Sequence, residues 1–400
     1  MRLSSRLAQL EPSATASMGA RIARLKAQGV NVISFGLGEP DFDTPAPIKA
    51  AAVAALDRNQ THYTPTGGTA ELRKAVARRA EHDTGVAYTP AQITTTTGAK
   101  EALFLAFQAL LDEGDEVIIP APYWVSYVEQ VKLAGGTPVV VSAHEANSFR
   151  LRPDQLRDAL TPRTRALVLN SPSNPTGAVY SADELAALAD VLRPSDALVI
   201  SDEIYDAICY VPYARWLRVA PDFADRTLVV SGASKSFAMT GWRFGYAAGP
   251  APLIEAMMNV QSHSTTHTAS ITQAAALAAY TPSAELDASV AAMTRAFRER
   301  RDLIGEALSS LPGVTCTVPD GAFYDFPNVE GLLGKPLGAN GTLCDTSQQL
   351  TDYLLDAAHI GVVPGEAFGA PGHLRLSYAA SNADISEGMQ RFAEAVRYER

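Results

Sequence analysis

Ser231-Gly232-Ala233-Ser234-Lys235-Ser236-Phe237-Ala238-Met239-Thr240-Gly241-Trp242-Arg243-Phe244-Gly245-Tyr246 sets the reading of the whole chain. An apolar run over 227–230 passes into small residues that present one lysine, and an arginine follows between aromatic neighbours. Among small and apolar side chains, desolvation disfavours the ammonium form of Lys235 and leaves a nucleophilic amine. Arg243 stays charged, and its planar fork suits a phosphate or carboxylate. A snorkelling lysine and a structural arginine in a loop fit the same stretch, so a second group is needed to choose.

That group is Asp202, in Ser201-Asp202-Glu203-Ile204-Tyr205, directly after the apolar run 197–200. An aspartate at the C-terminal end of a buried strand stands where open α/β sheets receive ligands, although a helix N-cap uses the same residue. A Schiff-base lysine and an acid partner for a pyridinium nitrogen are the pair that pyridoxal phosphate (PLP) needs.

Working outward, residues 93–97, 117–119, 138–141, 166–169, 198–200 and 228–230 read as strands separated mostly by helical patterns. Such alternation predicts a mainly parallel, buried sheet with helices on both faces. Residues 244–247 add a seventh strand, connected too tightly to run parallel to its predecessor. Beyond about residue 280 the alternation breaks. A long helix over 284–308 is followed by short strands at 321–326 and 373–377 and helices at 346–358 and 385–398, which together predict a separate α+β domain. The division expected is a large domain over 46–280 and a small one made of 1–45 with 281–400. Arg295, Arg298, Arg300 and Arg301 read as a solvated face of the long helix.

Composition narrows the function. With 400 residues, 47% hydrophobic and 19% charged, the chain has the make-up of a globular protein of two domains. A net charge of −10 and the lack of a basic, aromatic-interleaved cluster argue against a nucleic-acid surface. The three cysteines, Cys209, Cys316 and Cys344, have neither disulfide-framework nor metal-ligand spacing, so no metal is expected. Without an apolar run of membrane-spanning length or a leader-like start, a soluble, cytoplasmic protein is expected.

Further candidates lie at other strand ends. Gly98-Ala99-Lys100 opens a helix expected over 102–111, and a helix start is a ready phosphate site. A cation there opposes the helix dipole by roughly 0.3–1 kcal/mol, a cost that a bound anion removes, although a solvated surface lysine is the plain alternative. Trp124 suits either stacking over a planar ring or core filling. Asn174 lies in a loop dense in turn residues. Gly36 and Gly38 precede Pro40 and permit close backbone approach to a ligand, or a plain turn. Arg375, between Leu374 and Leu376, can hold a carboxylate in a bidentate pair or form an interdomain salt bridge.

Several of these stretches in one order, Gly-Glu-Pro-Asp-Phe at 38–42, Pro-Tyr-Trp at 122–124, Asn-Pro-Thr-Gly at 174–177, the lysine stretch and Arg375-Leu376-Ser377-Tyr378, resemble the class I, fold-type-I PLP-dependent aminotransferases nearly end to end. Among these the chain is similar to the bacterial aspartate aminotransferase group. The resemblance implies a PLP enzyme moving an amino group from L-aspartate to 2-oxoglutarate. It implies Lys235 as the Schiff-base lysine and proton shuttle, Asp202 at the ring nitrogen, and Tyr205 and Asn174 at the ring hydroxyl oxygen. Trp124 would lie over the ring. The phosphate would rest on Gly98, Ala99, Lys100, Ser234 and Arg243, joined by Tyr63 of the neighbouring subunit in a homodimer. Arg375, Asn174 and the Gly38 backbone would take the substrate α-carboxylate. Ala121–Pro122 and Asn174–Pro175 would be cis.

Specificity rests on fewer residues. The loop 261–267 lacks the arginine that binds the distal carboxylate in animal-type relatives. The pattern instead resembles the bacterial subgroup in which Lys100, Ser13 and Thr15 would serve a dicarboxylate. Glu11 stands where relatives that use prephenate typically carry a lysine, which weakens the expectation of prephenate activity and of aspartate preference. The alternatives are an aromatic, prephenate or alanine aminotransferase and, more remotely, a PLP C–S lyase or a PLP-sensing regulator. No Gly-x-Gly-x-x-Gly opens a helix after the first strand, which argues against a dinucleotide-binding enzyme.

Overall fold

A computed structural model describes residues 4–397. Helix α1 (Ala14–Ala27) leads into β1 (Ile33–Ser34), α2 (Ala46–Asp57) and α3 (Ala70–Thr84). Strand and helix then alternate through β2 (Ile93–Thr96), α4 (Ala99–Leu110), β3 (Glu116–Ala121), α5 (Ser126–Leu133), β4 (Thr137–Ser142) and α6 (Pro153–Ala159). The pattern continues with β5 (Thr164–Asn170), α7 (Ala182–Leu192), β6 (Leu198–Asp202), α8 (Trp216–Val219), β7 (Thr227–Gly232), α9 (Ala233–Ser236) and β8 (Gly245–Ala248). Helices α10 (Ala251–Ser262), α11 (Ser270–Ala279) and α12 (Ala284–Ser309) follow. Last come β9 (Tyr324–Asp325), β10 (Pro336–Leu337), β11 (Thr342–Leu343), α13 (Ser347–Ala358), β12 (Ile360–Gly361), β13 (Val363–Pro364), β14 (Leu374–Ser377) and α14 (Asn382–Val396).

Strands β2 to β8 form one seven-stranded sheet in the order β2-β8-β7-β6-β5-β3-β4. Only β8 runs antiparallel to its neighbours, as its short connection requires. The inner strands are apolar on both faces because helices cover both. Leu167, Leu169, Val199 and Val229 pack on one face, while Val168, Ile200 and Val230 pack on the other. Each such side chain removed from water contributes roughly 1.5–3 kcal/mol. The alternation predicts this mainly parallel, helix-covered sheet, and the resemblance implies it as the fold-type-I architecture.

A second core gathers Ile33 and Phe35 with Phe297, Ile304, Phe323, Leu354, Leu376 and Phe392. Strand β1 pairs in parallel with β12, so the N-terminal segment is joined to the C-terminal part of the chain. Helix α12, with 26 residues, is on the order of 40 Å long. It packs Met293, Phe297, Ile304 and Leu308 into this second core and Leu286 into the first. The ends of the expected small domain, 1–3 and 398–400, lie outside the described residues.

Three expectations are corrected. Arg300 and Arg301 do not form a solvated face: Arg300 pairs with Asp41 at 2.6 Å, and Arg301 lies 4.9 Å over the Tyr210 ring. Arg298, though exposed, is bound to the Tyr210 carbonyl. The strand expected over 321–326 shortens to β9, because Ala322 takes φ +56° and leaves extended geometry. The first helix, which the sequence predicts over about 18–28 with Gly29 as its stop, starts at Ala14, since Ser13 caps it by accepting from the Ala16 N–H. Among the described residues no helix is long and apolar enough to cross a membrane.

Candidate active site

The C-terminal ends of the parallel strands deliver side chains to one place. Strand β5 ends on Asn170, β6 on Asp202, and β7 runs into α9, which carries Ser234 and Lys235. From the second core come the loop after β1 and Arg375 on β14. Between them lies a cavity of about 390 Å³. Of the residues singled out from sequence, Thr15, Gly38, Ala99, Lys100, Trp124, Asn174, Asp202, Tyr205, Ser234, Lys235, Arg243 and Arg375 line it. Three do not. Gly98 is buried just behind Arg243, Ser13 is exposed and engaged in capping α1, and Tyr63 sits on a different cleft.

Lys235 donates to the Gly38 carbonyl. Burial lowers its pKa to about 8, with nearby Glu39 acting in the opposite sense and Arg375 and Arg243 reinforcing the fall. Its amine is thus far more readily neutral than that of an exposed lysine.

Asp202 is a buried carboxylate with no cation paired to it among the described residues. Tyr127 donates to Oδ2 at 2.6 Å, and the Ile204 N–H donates to Oδ1 at 3.2 Å. Burial raises the pKa to about 6 in spite of these two bonds. A cation brought against Asp202 would relieve that desolvation.

Arg375 is the converse case. It is 2% exposed, and burial lowers its pKa. Nη1 donates to Asn174 Oδ1 at 3.1 Å and Nη2 to the Gly36 carbonyl at 2.7 Å, while Nε has no partner among the described residues. Its guanidinium lies 4.6 Å over the Tyr324 ring. Tyr324 in turn shares a 2.7 Å hydrogen bond with Tyr205, whose phenol is pushed well above its ordinary pKa by burial and by this neighbour.

Around the start of α4 the backbone has no room for extra atoms. Gly98 takes φ +83°, and a Cβ there would strike the Arg243 guanidinium, while a Cβ on Gly245 would strike the Ala99 backbone. The first N–H groups of α4, Ser234 and Arg243 thus form an anion cradle. Helix α4 begins at Ala99, not at 102, so Lys100 stands in its first turn, 4.9 Å over the Trp124 ring. Desolvation and Arg243 lower the Lys100 pKa. A buried neutralisable amine, a buried unpaired carboxylate and an anion cradle are together the donor set that PLP requires, and the residues present fit it.

Several lining residues were not among the sequence candidates: Tyr127, Asn170, Glu39 and Thr240, whereas Tyr324 lies in the stretch 321–324 that resembles a family loop bordering the substrate. Tyr127 was findable, being three residues after Trp124 and hence on its side of the turn. So was Asn170, which ends a strand and accepts the Asn174 N–H at 2.9 Å. The pairing of Thr240 with Glu39 at 2.9 Å spans 201 residues, and no local pattern signals it. Ala121–Pro122 and Asn174–Pro175 are cis, and so is Ser171–Pro172. Glu11 is exposed and off the cavity, with its N–H given to Glu129 at 3.0 Å.

Residues 30–392 match the aminotransferase class I and II family, and the chain belongs to that family, whose class I members are PLP-dependent transaminases acting on amino acids and 2-oxo acids. It is 46% identical to the aspartate aminotransferase of Geobacillus stearothermophilus, over 99% of this chain and 100% of that protein. It is 45% identical to the aspartate/prephenate aminotransferase of Cereibacter sphaeroides, over 97% of each. The crystal structure of the Rhizobium meliloti aspartate aminotransferase superposes with a TM-score of 0.94 at 43% identity, covering 99% of this chain and 98% of that one.

Proposed function

We propose that the enzyme moves the amino group of L-aspartate to 2-oxoglutarate, giving oxaloacetate and L-glutamate. One observation carries this reading: Lys100, Arg243 and Arg375 line the same cavity, and none has a carboxylate partner among the described residues. A cofactor phosphate and the two carboxylates of a dicarboxylic amino acid are three anions for three cations. The names of the relatives support the same substrate.

PLP, when bound, supplies a carbonyl carbon for the substrate amine and a sink for the electrons left when the α-proton departs. Lys235, half of it neutral at about pH 8, serves as the linking amine and then as the base that takes the α-proton. Asp202 holds the proton on the ring nitrogen by its charge. Asn174 accepts from Arg375 through Oδ1, which leaves its amide N–H groups, with Tyr205, for the ring hydroxyl oxygen. Trp124 covers the ring. The α4 start (Gly98, Ala99, Lys100), Ser234 and Arg243 take the phosphate. Arg375 and the Gly38 backbone take the α-carboxylate, and Lys100 with Thr15 takes the distal one, while Ser13 stays on the α1 cap.

Tyr63 is 90% exposed and meets His267 edge-on, at 5.6 Å. We read it as the residue that reaches the partner's phosphate site in a homodimer. We read residues 46–280 as a large domain and 1–45 with 281–400 as a small one, in a cytoplasmic protein. A second reading, use of prephenate or aromatic amino acids, is favoured by the apolar wall of Leu37, Leu103 and Ile204.

The test is spectroscopic. L-aspartate and L-glutamate should bleach the visible band of the PLP-loaded enzyme at lower concentrations than L-phenylalanine or L-alanine. The opposite order would overturn the dicarboxylate assignment and leave the fold untouched.

A further inference from the structure

The turn that carries Arg243 into the cavity is an awkward piece of backbone. Ala238 takes φ +50° and Arg243 φ +56°, left-handed conformations that side chains with a Cβ seldom adopt. Neither end of this turn is held within itself alone. The Trp242 indole N–H donates to Thr44 Oγ1 at 3.0 Å, and the Thr44 hydroxyl donates to the Ala238 carbonyl at 2.7 Å. One hydroxyl, used as both acceptor and donor, therefore fastens the residue before Arg243 and the far end of the same turn. The partners lie 194 and 198 residues away in sequence. A second strut runs alongside, from the Thr240 hydroxyl to Glu39, and the Thr240 carbonyl accepts Arg243 Nη1 at 2.9 Å.

Thr44 is buried and does not line the cavity. Among the described residues its hydrogen bonds go to the Ala238 carbonyl and the Trp242 indole, not to the anion cradle or to a group assigned to substrate. We propose that Thr44 is the positioning residue for Arg243, fixing the turn so that the guanidinium stands against Gly98 and the start of α4, where it receives the cofactor phosphate. The proposal rests on the reading of Arg243 as a phosphate ligand. The hydroxyl does the work: valine has the same shape and loses both bonds, whereas serine keeps both.

The experiment compares the parent with Thr44→Val, Thr44→Ser, Arg243→Gln and the Thr44→Val/Arg243→Gln double variant. The dissociation constant of PLP is measured by reconstituting the cofactor-free protein, and that of inorganic phosphate by its competition. Thr44→Val should weaken both by roughly tenfold, since two hydrogen bonds that fix the turn are lost. Its kcat at saturating PLP should stay close to the parent's, and Thr44→Ser should restore affinity to within about twofold. In the Arg243→Gln background Thr44→Val should weaken binding no further, because the residue it serves is already gone. Parental affinity in Thr44→Val would overturn the proposal, as would a loss that persists in full without Arg243. If Arg243→Gln alone binds PLP and phosphate like the parent, the phosphate reading itself fails, a separate result. Should Thr44→Val fail to fold, Thr44→Cys, whose thiol is a poor substitute for the hydroxyl as donor and acceptor, is held to the same direction of change.

Discussion

Tyr127 donates its hydroxyl to Asp202 at 2.6 Å, and the ring bearing that hydroxyl meets Trp124 edge-on with centroids 5.3 Å apart. One buried tyrosine therefore orders both the acid expected at the cofactor nitrogen and the indole expected over its ring. Burial pushes Asp202 up, and the tyrosine bond pulls it back. Tyr127→Phe removes a donor to the carboxylate, so the ionised form loses support. The acid limb of kcat/KM should move to higher pH by on the order of one unit. A pH–rate profile superimposable on the parent's would refute the link.

Lys235 makes a prediction for the cofactor-free protein. Its folded pKa, about 8, lies below the ordinary 10.5. Between these values the unfolded chain binds more protons, so stability rises with pH across that window and falls as pH drops through 8. Lys235→Met abolishes the penalty, which is on the order of 3 kcal/mol at most. Urea unfolding should show the variant more stable than the parent near pH 7 and equal to it above pH 10.5. A difference independent of pH would mean that the gain comes from packing.

Arg375→Lys keeps a positive charge and loses the fork that spans Asn174 and Gly36. KM for the amino donor should rise on the order of tenfold to a hundredfold, with a smaller fall in kcat. Steady-state kinetics showing an unchanged KM would remove Arg375 from α-carboxylate binding.

Lys100→Ala separates the two carboxylates. The KM for L-aspartate should rise by about tenfold, and that for L-alanine should change little, since only the former has a distal charge. Equal effects on both donors would place Lys100 with the phosphate alone.

Much of this was legible in the sequence because it is local. Buried parallel strands are continuous apolar runs, and residues such as Asp202 and Asn170 stand where those runs stop. The short link from Gly232 to Gly245 dictates the reversed strand. What escaped is long-range. Arg300 and Arg301 look like a solvated face until Asp41 and Tyr210 are brought against them by the tertiary fold. Thr44 is an ordinary threonine before a proline until Trp242 folds over it. Ser13 carries a hydroxyl suited to a substrate, yet in the fold that oxygen caps a helix.

The most direct test is a single turnover. The PLP-loaded enzyme is mixed with L-aspartate and no oxo-acid acceptor, and oxaloacetate, pyruvate and ammonia are counted per active site, for the parent and for Lys235→Ala. The account predicts one equivalent of oxaloacetate from the parent, no ammonia, a stop until 2-oxoglutarate is added, and no comparable product from Lys235→Ala. Continuous release of ammonia, or full turnover by Lys235→Ala, would contradict it.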